Sequence, residues 1–596
     1  TANGAAVRDV RLTNTSITGT GNYTGALVAS AASGLTMTNV IMDGTSSVSN
    51  SASSYVGGLM GSAGSGTLSN IYVLTTNVTG SGYVGGVVGN GSMTVTNVHK
   101  VGSITATGAN VGGAFGYMSG TMNNVDSVGA VTVTGSNYSV GGLIGDAGSS
   151  SITNAFATGA VAATSSYQVG GLLGVSGSGA LSSVSALGGN VSGTYRVGGL
   201  VGYVTGSGNI TNASAAGNVT GTSDTVGGLV GYYYSGTITT ATTTGDVSGT
   251  SNVGGLLGYT WTTTNVNGAT ISGKVTGSAD SVGGLVGYYN NGTITSATTS
   301  ADVSGTSSVG GLVGYQYGTS TINTSNTTGR VTGTAANVGG LVGYTYLGSL
   351  TVSGSSSTGN VQGTNRVGGL LGFMDNGYTL TIRSSSAQGT VNGTNTSGQV
   401  GGLMGYVYGT AYVYGSNYSG AGVTSLGPNV GGLVGEASWS STIYNSYVNI
   451  AGNTGVQGTY NIGGMVGRNG ESVTVQSNGT NIPVYGAALS PYSNAKVTGT
   501  TASGANAYVG GIVGYVGNYT TMSNVSVTAA SVTGVGNYVG GVVGGTTTVG
   551  YTHSFANITV DVPTSRIVGH TRGPMTSHTG ALYFTDGPLP LNGFCR

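Results

Sequence analysis

Seven residues constrain this chain more than any others. The phrase Val-Gly-Gly-Leu-Val-Gly-Tyr occurs at Val226 to Tyr232, Val282 to Tyr288 and Val338 to Tyr344, and it returns with small changes along most of the sequence. Copies begin at Val56, Val84, Val111, Val140, Val169, Val197, Val226, Val253, Val282, Val309, Val338 and Val367, in steps of 27 to 29 residues. Such spacing is how a solenoid is written, because one repeat can bury its apolar face only against the next. Further on, copies begin at Val400, Val430, Ile462, Val509 and Val539, with steps of 33, 30, 32, 47 and 30.

One period reads as three short strand-like pieces: the phrase itself, then Gly236 to Gly245, then Asp246 to Thr250. Val, Ile, Thr and Tyr fill these pieces while Gly and Asn separate them, which is β composition with turn punctuation. The chain holds 120 Gly, yet its apolar residues amount to 38% and are regularly placed, which argues against a disordered low-complexity chain. The expected fold is all-β: a parallel β-solenoid (β-helix) with about one 27–30-residue repeat per coil and three short strands per coil. A repeat array is quasi-one-dimensional, so 596 residues can form one continuous body.

The repeat divides the chain into four stretches. Residues 1–55 read as an N-terminal cap with a degenerate first repeat, marked by Arg8, Asp9 and Arg11 and by Gly25, Ala26, Leu27 and Val28. Residues 56–399 form the regular array, and 400–559 an irregular one with an insertion near 470–495. Residues 560–596 read as a C-terminal cap or assembly segment, where prolines gather near His570 and His578.

The phrase Val-Gly-Gly-Leu-Val-Gly-Tyr followed by Ser-Gly-Thr-Ile-Thr-Thr-Ala resembles the GLUG-motif repeat, named for its Gly-Leu-x-Gly core, and similar copies cover most of residues 56 to 545. That resemblance implies a bacterial secreted or surface-exposed protein of the adhesin-like, filamentous-haemagglutinin-like kind. It carries no catalytic residue onto this chain.

Composition limits the partners. Only 4% of residues are charged, the formal net charge is zero, and Lys occurs at Lys100, Lys274 and Lys496 alone, too few cations to neutralise a nucleic-acid backbone. Gly, Thr or Asn breaks every apolar run before it could span a membrane. The chain begins at Thr1 rather than Met, which fits processing from a secreted precursor. The lone Cys595 is either a terminal thiol without a role or a link between chains. Asn-x-Ser/Thr sites such as Asn77, Asn137, Asn218 and Asn417 are frequent, as chance alone would make them here.

Charged residues recur at one place in four consecutive repeats, as Asp246, Lys274, Asp302 and Arg330, flanked by Asn218 and Asn360. Alternating signs about 4.8 Å apart read as a structural charge ladder that fixes register. Paired acids for catalysis would need one carboxyl held protonated, and an intervening Lys274 favours ionisation of both. Arg196 and Asp224 read as another such pair. The histidines at 553, 570 and 578 lack metal-ligand spacing.

The aromatic that closes the phrase recurs at Tyr203, Tyr232, Tyr259, Tyr288, Tyr315 and Tyr344. If Gly-Gly makes a corner, alternation places Val230 and Tyr232 outward, and the coils expose a stripe of Val, Leu and Tyr suited to protein contact or sugar stacking. A shifted register would instead make the tyrosines part of the coil's own packing. The insertion offers a second contact loop, with Tyr485, Pro491 and Tyr492. The expected protein is a non-enzymatic structural or adhesive solenoid, extracellular or on the cell surface, without a cofactor. It would associate with copies of itself, end to end or laterally. The alternatives are a carbohydrate-binding adhesin that contacts glycans or host-cell molecules without polymerising, and a β-helix carbohydrate-active enzyme.

Overall fold

A computed structural model describes residues 4–450 apart from Ser53, Asn137 and Asn376, then 454–476, 492–493, 496–500, 508–527, 532–534, 538–546, 553–560, 568–570 and 575–579. The side chains of 492–493, 546 and 553–579, and those of Asn524 and Ser526–Val527, lie outside the described set. The fold is a parallel β-solenoid of about 17 turns, each of about 29 residues, with three sheets and no helix among the described residues. The chain divides into two compact units, Thr1–Asn290 and Asn291–Arg596.

In the first unit a typical coil runs Val226–Gly227, Val230–Tyr233, Gly236–Thr243 and Val247–Gly249. Each segment pairs in parallel with its equivalent one coil on: Val226 with Val253, Val230 with Leu257, Ile238 with Val266 and Val247 with Val275. The second and third segments share one sheet, so the seven-residue phrase is split between two sheets at a corner. Glycine is required there by close approach. A Cβ on Gly227 would strike the carbonyl oxygen of Val230 and come within 2.7 Å of the Gly258 amide nitrogen, while one on Gly228 would strike the Gly255 carbonyl oxygen.

The corner corrects the orientation expected for Val230. Val226, Leu229 and Val230 are all fully buried, because alternation does not run through the corner and the strand beyond it folds back against the strand before it. Each such side chain contributes about 1.5–3 kcal/mol through its burial. Tyr233 and Tyr289 lie inside as well, each hydroxyl donating to a main-chain oxygen at 2.6 Å, of Gly208 and Thr264 respectively. Burial pushes both phenols well above their usual range.

A second corner recurs in the left-handed region and is filled by asparagine, the non-glycine residue that best tolerates it. Asn39, Asn70, Asn97 and Asn124 have φ of 53 to 57°. Each donates its side-chain amide to the residue one coil back, at 2.9 Å to Asp9 and then at 3.1, 3.0 and 2.9 Å along the asparagines. The degenerate first repeat obeys the same register, with Thr24 opposite Val56 and Val28 opposite Met60.

In the second unit a coil runs Val338–Gly339, Val342–Tyr346, Leu350–Ser353, Ser356–Ser357 and Val361–Gly363. Its long segment is interrupted where the first unit's is continuous. At the break a column of buried serines, Ser325, Ser355, Ser385, Ser416 and Ser446, carries the hydrogen bonding between coils.

Candidate functional site

The aromatic line is built by the strand that follows the glycine corner. In the first unit Tyr203, Tyr232, Tyr259 and Tyr288 stand in register on successive coils. Ring centroids are 5.0, 5.0 and 4.5 Å apart, the first pair edge to face and the next two stacked. In the second unit Tyr315, Tyr344, Phe373 and Tyr406 repeat the arrangement at 5.0, 5.2 and 5.1 Å. Offset and edge-to-face aromatic pairs at these distances contribute about 0.5–1.5 kcal/mol each beyond their burial.

These seven tyrosines are half-buried, whereas Val230 and Leu229 are fully buried, so the exposed stripe lacks the Val and Leu expected of it. Tyr232, Tyr259 and Tyr288 spend ring faces on one another and leave edges to solvent. Burial pushes the Tyr232 and Tyr315 hydroxyls up to about 12, with neighbouring tyrosines adding to the shift. The Tyr344 hydroxyl donates to Asp375 at 3.1 Å.

Contrary to the expectation from sequence, Arg196 makes no ion pair with Asp224, and only its main-chain N–H reaches the Asp224 carbonyl oxygen, at 3.4 Å. The residue in register with it is Thr225, whose hydroxyl accepts the Arg196 amide at 3.1 Å, and Asp224 lies one residue earlier. From a backbone with φ of 51° the Arg196 guanidinium lies over Tyr203 at 4.3 Å and Tyr232 at 4.9 Å from the ring centres, with Tyr195 at 5.2 Å. Its Nε is buried without a hydrogen-bond partner. Arg366 occupies the equivalent place in the second unit, 4.1 Å from the centre of Phe373 and 5.7 Å from Tyr406, with its Nε likewise unpartnered.

The charged column works through main-chain groups. Asp246 accepts the backbone N–H of Lys274 at 2.8 Å, and Asn218 accepts that of Asp246 at 2.9 Å. In the other unit Asp302 accepts the backbone N–H of Arg330 at 2.8 Å, while the Arg330–Asp302 ion pair is long, 3.9 Å, with the two side chains 65% and 53% exposed. A pair so exposed contributes little. Asn360 accepts the Thr390 N–H at 3.0 Å in the same manner. Asp246 and Asp302 belong to different units.

Two buried polar features escaped sequence reasoning. Glu436 takes the aromatic's place opposite Tyr406, bonded to Asn429 at 2.7 Å and paired with Arg468 of the next coil. A Glu closing a copy of the phrase was the available signal. Lys100 is fully buried, in a column that otherwise holds Met42, Val73, Ser127, Ala157 and Ala186. Desolvation lowers its pKa to about 7, and its Nζ donates to the Gly102 carbonyl.

Tyr485 and Pro491 of the contact loop lie outside the described residues, as do Cys595 and the side chains of Tyr492, His553, His570 and His578. Among the described residues no three His, Cys, Asp or Glu converge to hold a metal ion.

The GLUG motif matches the chain at residues 193–220 and 505–533. The first match spans one coil, from the end of Val191–Gly193 into Val219–Gly221. The chain is thus a repeat β-solenoid that carries GLUG motifs. No curated protein and no solved structure matches it.

Proposed function

We propose that this solenoid is an extracellular or cell-surface structural and adhesive element, not an enzyme, which associates with copies of itself end to end or side by side. The observation that supports this reading is how many side chains serve coil-to-coil continuity: an asparagine column, an aromatic line, a buried serine column and carboxylates that accept main-chain N–H groups. These devices hold neighbouring coils in register and present one surface at a fixed repeat. A coil's free edge offers the same hydrogen-bonding template that its neighbours use, so another copy can extend it, and a head-to-tail contact that does not close builds filaments. Electron microscopy and sedimentation of the purified chain over a range of concentrations test this. Filaments or lateral bundles are expected, and single particles at every concentration would refute assembly.

A second reading, a glycan-binding adhesin that does not polymerise, draws support from Arg196 on the tyrosine line. A glycan array probed with the same preparation separates the two.

A further inference from the structure

We propose that Arg196 and the tyrosines around it form a subsite for the acidic group of an anionic sugar chain. This rests on the adhesin reading and adds to it the chemistry of the ligand.

Charge is the first argument. Arg196 lies over Tyr203 and Tyr232, and no carboxylate pairs with it among the described residues. Its Nε is buried without a hydrogen-bond partner. A guanidinium is an always-charged fork whose geometry matches carboxylate and sulfate. Held against two rings, it has lost rotamer freedom before any ligand arrives, which lowers the entropic cost of binding.

The surroundings give the second argument. Tyr167, on the preceding coil, is 44% exposed and meets Tyr195 edge to face at 6.5 Å. Unlike the rings of the line, it keeps surface free for the C–H face of a sugar. Hydroxyl-bearing rings beside a cation suit an acidic sugar, whose ring packs on tyrosine while its charge meets arginine. An acidic peptide would use the cation alone.

Arg366 supplies an internal control. It lies over Phe373 and Tyr406, and the next residue of that line is the carboxylate-bearing Glu436. The line past Arg196 continues instead through uncharged Tyr259 and Tyr288. Beyond Arg366 the line is thus taken up by an internal ion pair of Glu436 with Arg468, whereas beyond Arg196 it holds no such pair, which leaves Arg196 the better place for an external anion.

The test is binding of the full chain to oligogalacturonates, to a sulfated galactan oligosaccharide, to the neutral galactan of the same length and to a poly-glutamate peptide. Acidic sugars should bind with affinity that falls as salt rises. Arg196→Gln should weaken them about tenfold, Arg196→Lys less, and Arg366→Gln hardly at all, with unfolding temperatures confirming that each variant folds. The galacturonate and sulfate arms tell the two acid groups apart. Neutral galactan binding as well as the acidic sugars, poly-glutamate binding as well as they do, or an unchanged Arg196→Gln variant would each overturn the proposal while leaving an adhesin possible. Absence of binding to every glycan would overturn the adhesin reading with it.

Discussion

Asp246 reaches the backbone of Lys274: the carboxylate accepts the Lys274 main-chain N–H at 2.8 Å across the coil boundary. Asn218 treats Asp246 in the same way at 2.9 Å, so an uncharged side-chain oxygen fills the same place in the column. Asp246→Asn should therefore leave stability nearly unchanged, whereas Asp246→Ala should lose about 0.5–1.5 kcal/mol, the usual net contribution of one such bond. Lys274→Ala should be close to neutral. Thermal unfolding at low and high salt checks this, and a strong salt dependence of the wild-type-to-Ala difference would restore the ion-pair account.

The glycine corner makes a sharper prediction. Gly227→Ala would drive a methyl group into the Val230 carbonyl, with backbone on both sides of the collision and no side chain free to swing away. The expected cost is about 3 kcal/mol or more. Gly415, with φ of 52° and nothing nearer than the Ser384 hydroxyl at 4.0 Å, is the contrasting case. Its equivalent one coil on is Asn445, which also has positive φ, 47°, so Gly415→Asn should be tolerated. Local hydrogen exchange around each site distinguishes the two outcomes, which a global melting curve of a repeat array can blur.

Val226 and its equivalents announced the coil because their period is short, regular and free of competing signals. What the sequence hid were relationships set by a single residue of register. Simple alternation puts Val230 outward, but the corner interrupts alternation and turns it inward. The sequence sets Arg196 beside Asp224, yet its neighbour in the column is Thr225 and its positive φ turns the side chain onto tyrosines. The asparagine column was readable in principle, as the Asn that ends Met37-Thr38-Asn39, Leu68-Ser69-Asn70, Val95-Thr96-Asn97 and Met122-Asn123-Asn124, but the abundance of Asn elsewhere masked it. Lys100 could be recognised as unusual only once its column was known to be buried and otherwise uncharged.

That lysine yields a pH prediction. Desolvation lowers its pKa from the ordinary lysine value of 10.5 to about 7 in the folded chain. Between those values the unfolded chain binds a proton that the folded chain does not, so stability should rise as pH increases from about 7 towards 10.5 and reach its lower plateau below 7. Lys100→Met keeps the stem that packs against Gly86 and removes the titrating group. The variant should unfold at higher temperature near pH 7, and the difference from wild type should shrink as the solution is made alkaline. A pH-independent difference would mean that Lys100 reaches solvent in the folded state.

The serine column offers a test of how the second unit replaces main-chain pairing. In the first unit the long segment runs unbroken, as in Gly236–Thr243, and its column holds Ala213, Ala241 and Ala269. In the second unit the segment splits, already in the coil of Ala297, whose N–H goes to the Ser325 hydroxyl at 3.1 Å, and each buried hydroxyl accepts the main-chain N–H one coil back: Ser355 from Ser325 at 3.1 Å, Ser385 from Ser355 at 3.2 Å. The same hydroxyl donates to a carbonyl two residues before it, 2.9 Å away for Ser355, so its position is fixed from both sides. Ser355→Ala leaves the buried Ser325 N–H without an acceptor, at a cost of about 1–3 kcal/mol. Exchange of the Ser325 amide should accelerate by the corresponding tenfold or more, while Ser355→Cys, with its weaker and longer acceptor, falls between. If the Ser325 amide stays protected in the alanine variant, the broken segment can rejoin as a continuous strand, and the serines are a consequence of the break and not its cause.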